Sequence, residues 1–174
     1  MQWIKNLSIK YKIFIIPSVA IIGFLLYLGI NYNVTKANEG RLESIRTVYF
    51  PSLEKAAANN VSLAKIDEML NIAISNGEVE MVNKAQETRD SIVANLDKMS
   101  ALEPGRADEI MAMKNALKKY FDNAHALTLS MIDGSADLGA INKLVANKNA
   151  LQNEATDKFE LFHENSFKAF QQAL

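Results

Sequence analysis

The sequence has no cysteine, three prolines, seven glycines and one tryptophan among its 174 residues. Without cysteine there can be no disulfide and no thiolate metal site, and an oxidising compartment is compatible with the chain. So few prolines and glycines argue against a sheet protein with many turns. Charge of one sign is also missing: 19 basic and 20 acidic residues give a formal net charge of -1. These charges are interspersed and form no basic face, which argues against nucleic acid as a partner. What the chain does hold is Ala, Leu, Lys, Glu, Asn and Met, a mostly helix-forming set. With 49% hydrophobic and 22% charged residues it can bury the core of one folded domain. The expected fold class is all-α.

Residues Ile13 to Ile30 read IFIIPSVAIIGFLLYLGI without a charge, close to the ~20 apolar residues that cross a bilayer as helix. Lys5, Lys10 and Lys12 precede it with no acid among residues 1–12, whereas Lys36, Glu39, Arg41 and Glu43 mix signs after it. The positive-inside rule therefore places residues 1–12 in the cytoplasm and residues 31–174 outside it. Trp3 and Tyr11 on one side, and Tyr27 and Tyr32 on the other, suit the two interfaces. A cleaved signal peptide is the competing reading, but its apolar region is usually ~7 to 15 residues and ends in a small-x-small site. Here the only Ser-x-Ala, Ser18 to Ala20, lies inside the apolar run. Pro17 and Gly23 would weaken a soluble helix and are common in spanning ones. A single span in the bacterial inner membrane, with the rest in the periplasm, is the expectation.

Beyond Asn31, breaks at Ser75-Asn76-Gly77, Glu103-Pro104-Gly105 and Asp133-Gly134-Ser135 separate stretches with apolar residues every three or four positions. Helices are expected at about 31–75, 78–102, 106–132 and 137–174. The third has the cleanest seam: Ile110, Met113, Leu117, Tyr120, Ala124, Leu127 and Met131. The first follows Leu42, Ile45, Tyr49, Ala56, Asn60, Leu63, Leu70 and Ile74, and the second Val82, Ala85, Arg89, Ile92, Leu96 and Met99. In the fourth, Leu138, Ile141, Val145, Lys148, Leu151 and Ala155 lead into Phe159, Phe162, Phe167 and Phe170. Short connections make successive helices antiparallel, so the N-terminal spanning helix is expected to continue into an antiparallel up-down four-helix bundle. Pro51 should kink the first stretch and mark where the four-helix part stops. Residues 31–50 and the end of the fourth helix would then form a stalk, in which Phe167 and Phe170 need a partner helix or a second subunit.

This layout is similar to the input region of methyl-accepting chemotaxis proteins with four-helix-bundle sensor domains. The resemblance is carried by Lys10-Tyr11-Lys12 leading into the span, Tyr49-Phe50-Pro51-Ser52-Leu53, the Ser75-Asn76-Gly77-Glu78 turn and Leu102-Glu103-Pro104 closing the second helix. It covers nearly the whole chain and holds no invariant signature. Sensor histidine kinases and membrane-bound cyclic-dinucleotide enzymes have similar input bundles. The resemblance implies a homodimeric ligand-sensing input domain of a transmembrane chemoreceptor, responding to a small molecule or a periplasmic binding protein by a small helix displacement. A membrane-tethered helical adaptor without signalling is the alternative.

No nucleophile–base pair, phosphate loop or shared ligand cluster points to an enzyme, so neither catalytic residues nor a cofactor are expected. Asp122-x-x-His125 and Glu160-x-x-His163 each resemble half of a di-iron site. Counted from the last loop at ~1.5 Å per residue, the two histidines lie about 13 and 40 Å down and cannot share a metal. Polar residues on apolar seams are more telling. Asn60 lies roughly 24 Å from the distal end, Arg89 and Lys148 about 18 Å, and Tyr120 about 20 Å. One layer holding Asn60, Arg89, Tyr120 and Lys148 could receive a small organic acid through charge-assisted hydrogen bonds. The plain alternative has Arg89 and Lys148 reaching solvent while Asn60 fixes register.

Overall fold

The computed structural model describes residues 9–137 and 139–174. Trp3 and Lys5 of the N-terminal segment and Leu138 of the fourth seam lie outside them, as do the side chains of Lys10, Tyr11 and Lys12. The chain is all-α and divides into two units, 1–44 and 45–174. In the first, α1 runs Ile9–Ser44 and carries Pro17 inside it. Its described side chains are all exposed, with Ile13 at 65% and Leu26 at 64%. Among the described residues it holds the one stretch long and apolar enough to cross a membrane, a test that an N-terminal signal sequence also meets.

The second unit opens with a π-helical turn, Ile45–Tyr49, followed by α2 (Phe50–Asn76), α3 (Val79–Leu102), α4 (Ala107–Ile132) and α5 (Ile141–Ala173). Pro51 has no N–H to donate, and its ring crowds the carbonyl one turn earlier, inside the π-turn. The wider winding of that turn accommodates the ring without breaking the helical path. The bundle thus begins at Ile45, six residues before Pro51, the end point expected from sequence. The π-turn packs on α5, and Phe50 meets Phe170 with ring centroids 6.4 Å apart. Phe170 therefore finds its partner inside the chain, whereas Phe167 stays 45% exposed.

The four helices alternate in direction, each packing on its two neighbours, and α2 also meets α4 across the diagonal. α2 ends where Gly77 takes φ +70, and the N–H groups of Gly77 and Glu78 both reach the Ala73 carbonyl. α5 starts later than the pattern suggested, at Ile141. The carboxylates of Asp133 and Asp137 accept bonds from the Ser135 and Gly139 N–H groups (both 2.9 Å), holding the preceding residues in turns. These two connections define the top of the bundle. Its base holds the π-turn, the tight turn Pro104–Arg106 and the C-terminal end of α5.

The core is a stack of Leu63, Ile66 and Leu70 from α2, Ile92, Leu96 and Met99 from α3, Ile110, Leu117 and Tyr120 from α4, and Phe159 and Phe162 from α5. In α2 the buried set is Ser52, Ala56, Asn59, Leu63, Ile66, Leu70 and Ala73, steps of four and three throughout. Ala56, Leu63 and Leu70 lie on the seam as expected, but in place of Asn60 and Ile74 it runs through Asn59 and Ala73, each one residue and about 100° away. Asn59, 1% exposed, carries an amide into the middle of this buried face. Its amide carbonyl accepts from Asn95 at 3.2 Å and its NH₂ faces the Met99 sulfur at 3.6 Å.

At the base, Arg106 links three helices. Its guanidinium lies 3.6 Å from the Phe162 ring centroid and donates to Ser166 Oγ (2.9 Å), Glu103 (3.3 Å) and Glu109 (2.9 Å). Glu103 in turn accepts from the hydroxyl of Ser52, at the start of α2. The segments beginning α2 and ending α5 are thereby tied through the α3–α4 connection.

Candidate functional site

α5 is uneven along its length. Its buried residues, Ala155, Phe159, Phe162 and Ser166, all lie in the lower half. In the upper half, 141–154, no side chain is fully buried: Ile141, Leu144 and Leu151 are half-buried, Lys148 stands at an inward position where a core-facing helix would place Leu or Phe, and Val145 is 38% exposed. Too little side-chain volume points inward to fill the space between α2, α4 and α5. The result is a cavity of about 240 Å³ near the top of the bundle. Its apolar walls are Leu70 and Ile74 from α2, Ala124, Leu127 and Met131 from α4, and Val145 from α5. Asn71, Ser75, Thr128 and Lys148 supply the polar groups.

Beside this cavity lies a polar cluster centred on Asp67. Lys148 of α5 pairs with Asp67 Oδ1, and the Tyr120 hydroxyl of α4 donates to the same oxygen at 3.3 Å. Asn71 donates to Oδ2 at 3.0 Å. The arrangement is sheltered, with the Lys148 side chain 12% and the Asp67 side chain 22% exposed. Tyr120 is fully buried. Burial, followed by the negative charge of Asp67 and the bond to it, pushes its phenol far above the usual range.

Of the four residues expected in one layer, the structure brings Tyr120 and Lys148 together and leaves the other two apart. Both converge on Asp67, a residue of this chain that already supplies the carboxylate for which the layer was drawn. Arg89 lies 5.0 Å from the Phe121 ring centroid and pairs with Asp90 at 2.9 Å. Its side chain remains 31% exposed while its buried Nε has no hydrogen-bond partner. The stem packs and the charge reaches water, a common habit of arginine. Asn60 lines a different, smaller cavity of about 170 Å³ between α2 and α5, with Gln152, Thr156 and Glu160.

Asp67 was the residue that sequence reasoning missed. A charged residue beside Ile66, one step off the seam, reads as solvent-facing until the lysine of α5 is known to reach it. Among the described residues no group of three or more His, Asp or Glu is placed to hold a metal ion. His125 lies against Phe121, ring centroids 5.5 Å apart. Comparison with family profiles, with curated proteins and with solved structures finds no match, so the fold and this cavity are the ground on which a function is argued.

Proposed function

We propose that this chain is the ligand-sensing input domain of a bacterial transmembrane receptor, with α1 anchored in the inner membrane and the bundle in the periplasm. One observation carries the reading: the cavity at the top is walled by α2 and α5, the two helices that meet again at the base through Phe50 and Phe170. A molecule wedged between them at one end changes their packing, and the base is where the chain arrives from α1. Packed helices occupy discrete arrangements, so a shift of about 1–2 Å suffices for a switch. The charge-free run Ile13–Ile30, preceded by lysines and no acid, supports the orientation. As a chemoreceptor input the domain works as a homodimer that passes a piston, rotation or tilt to the spanning helices.

The test is topological. Alkaline phosphatase fused after Asn38 should be active in bacterial cells, and β-galactosidase fused at the same point inactive. The reverse pattern, or a mature chain lacking residues 13–30, removes the receptor reading.

A further inference from the structure

We propose that the cavity between α2, α4 and α5 binds an uncharged molecule with an apolar body and one hydrogen-bond-accepting oxygen, rather than an organic acid. The inference rests on the reading of this bundle as a ligand-sensing domain and names the class of ligand. Among the described residues, Lys148 is the one charged side chain in the cavity walls. Its charge is compensated at contact by Asp67, which is also supplied with hydrogens by Tyr120 and Asn71. The other cation of the expected layer, Arg89, is paired with Asp90. A carboxylate entering the cavity would give up its water against apolar walls and find no uncompensated cation in return. It would also stand close to the carboxylate of Asp67.

A neutral oxygen fits better. An ammonium has three N–H groups, of which the bond to Asp67 uses one, and the Thr128 hydroxyl is at hand, 2% exposed. Ser75 gives its own hydrogen to the Asn71 carbonyl at 2.9 Å, so it has only lone pairs left to offer, which disfavours a carboxylate. Size sets the body. Since a cavity of about 150 Å³ holds benzene, one of about 240 Å³ takes on the order of ten non-hydrogen atoms, a substituted ring or a short branched chain.

Acetophenone and benzoate are a suitable probe pair, matched in heavy-atom count and differing in charge. The full chain, labelled with ¹³C at its methionine methyls and held in lipid nanodiscs, is titrated with each at equal free aqueous concentration. Met131 lines the cavity, while Met111, 56% exposed, reports the outer surface. The expected result is a saturable shift of the Met131 methyl with acetophenone, none at Met111, and at least tenfold weaker binding of benzoate. Val145→Phe, at the partly exposed rim, should weaken the acetophenone response at least tenfold while the rest of the spectrum is retained. Ala124→Leu narrows the same space from the buried side and should act alike.

Benzoate binding as tightly as acetophenone would overturn the assignment in favour of an anion site. No response of Met131 to acetophenone, or a response that both variants leave intact, would show that the cavity is not the site. These failures leave the topological test standing, and a cytoplasmic reporter after Asn38 leaves the binding result standing.

Discussion

Asn59 and Asn60 are neighbours in sequence and differ by about 100° in where they point from α2. Asn59 is buried between Asn95 and Met99, so Asn59→Ala strands the Asn95 amide and opens a small void. It should cost about 1–2 kcal/mol in urea denaturation. Asn60→Ala, at a half-buried position on the wall of the smaller cavity, should stay within about 0.5 kcal/mol. Tyr120 makes a second residue-scale prediction. Its folded pKa is raised, so the phenol stabilises the fold fully below the unfolded value near 10 and loses that contribution as the pH climbs above it. The slope attributable to one proton is about 1.4 kcal/mol per pH unit. Stability followed from pH 8.5 to 11 should therefore fall more steeply for the native chain than for Tyr120→Phe. Parallel curves would show that Tyr120 is not held as drawn.

Among the elements, the base of the bundle depends on a side chain in a turn. Arg106→Ala leaves Glu103 without its cation, Ser166 without its donor and Phe162 without its cover, and should cost about 3 kcal/mol by the same measurement. Arg106→Lys should recover less than half, because an ammonium cannot stack on the ring and bridge two carboxylates at once. At the top, Gly77→Ala meets no atom within 4 Å, so its cost of about 1–2 kcal/mol is purely the left-handed backbone conformation. The helices, their order and their antiparallel packing could be read in advance because heptad spacing and turn residues are local signals. The seam of α4 was legible almost residue by residue, since Ile110, Met113, Leu117, Tyr120, Ala124 and Leu127 are all buried. In α2, continuing the 3,4 spacing back from Leu70 through Ile66 and Leu63 would have reached Asn59. The Arg106 cluster and the Asp67–Lys148 pair were out of reach, because each joins residues more than fifty positions apart whose distances only the folded bundle sets.

For the whole molecule, the absence of native cysteine lets single thiols report on association. Cysteines placed one at a time from Ile21 to Leu26 should form intermolecular disulfides in membranes with a periodicity near 3.6 residues if two copies of α1 face each other. Uniformly slow oxidation along the series would argue against the homodimer. The unequal halves of α5 also bear on how the cavity is reached. With no fully buried side chain between Ile141 and Glu154, that stretch is held mainly by the half-buried Leu151 and by the Lys148–Asp67 pair, far less than the lower half. Local opening draws on the least anchored segments. Backbone amides there should exchange with deuterated water orders of magnitude faster than those around Phe159 and Phe162, so a guest can slip in while the lower bundle never comes apart.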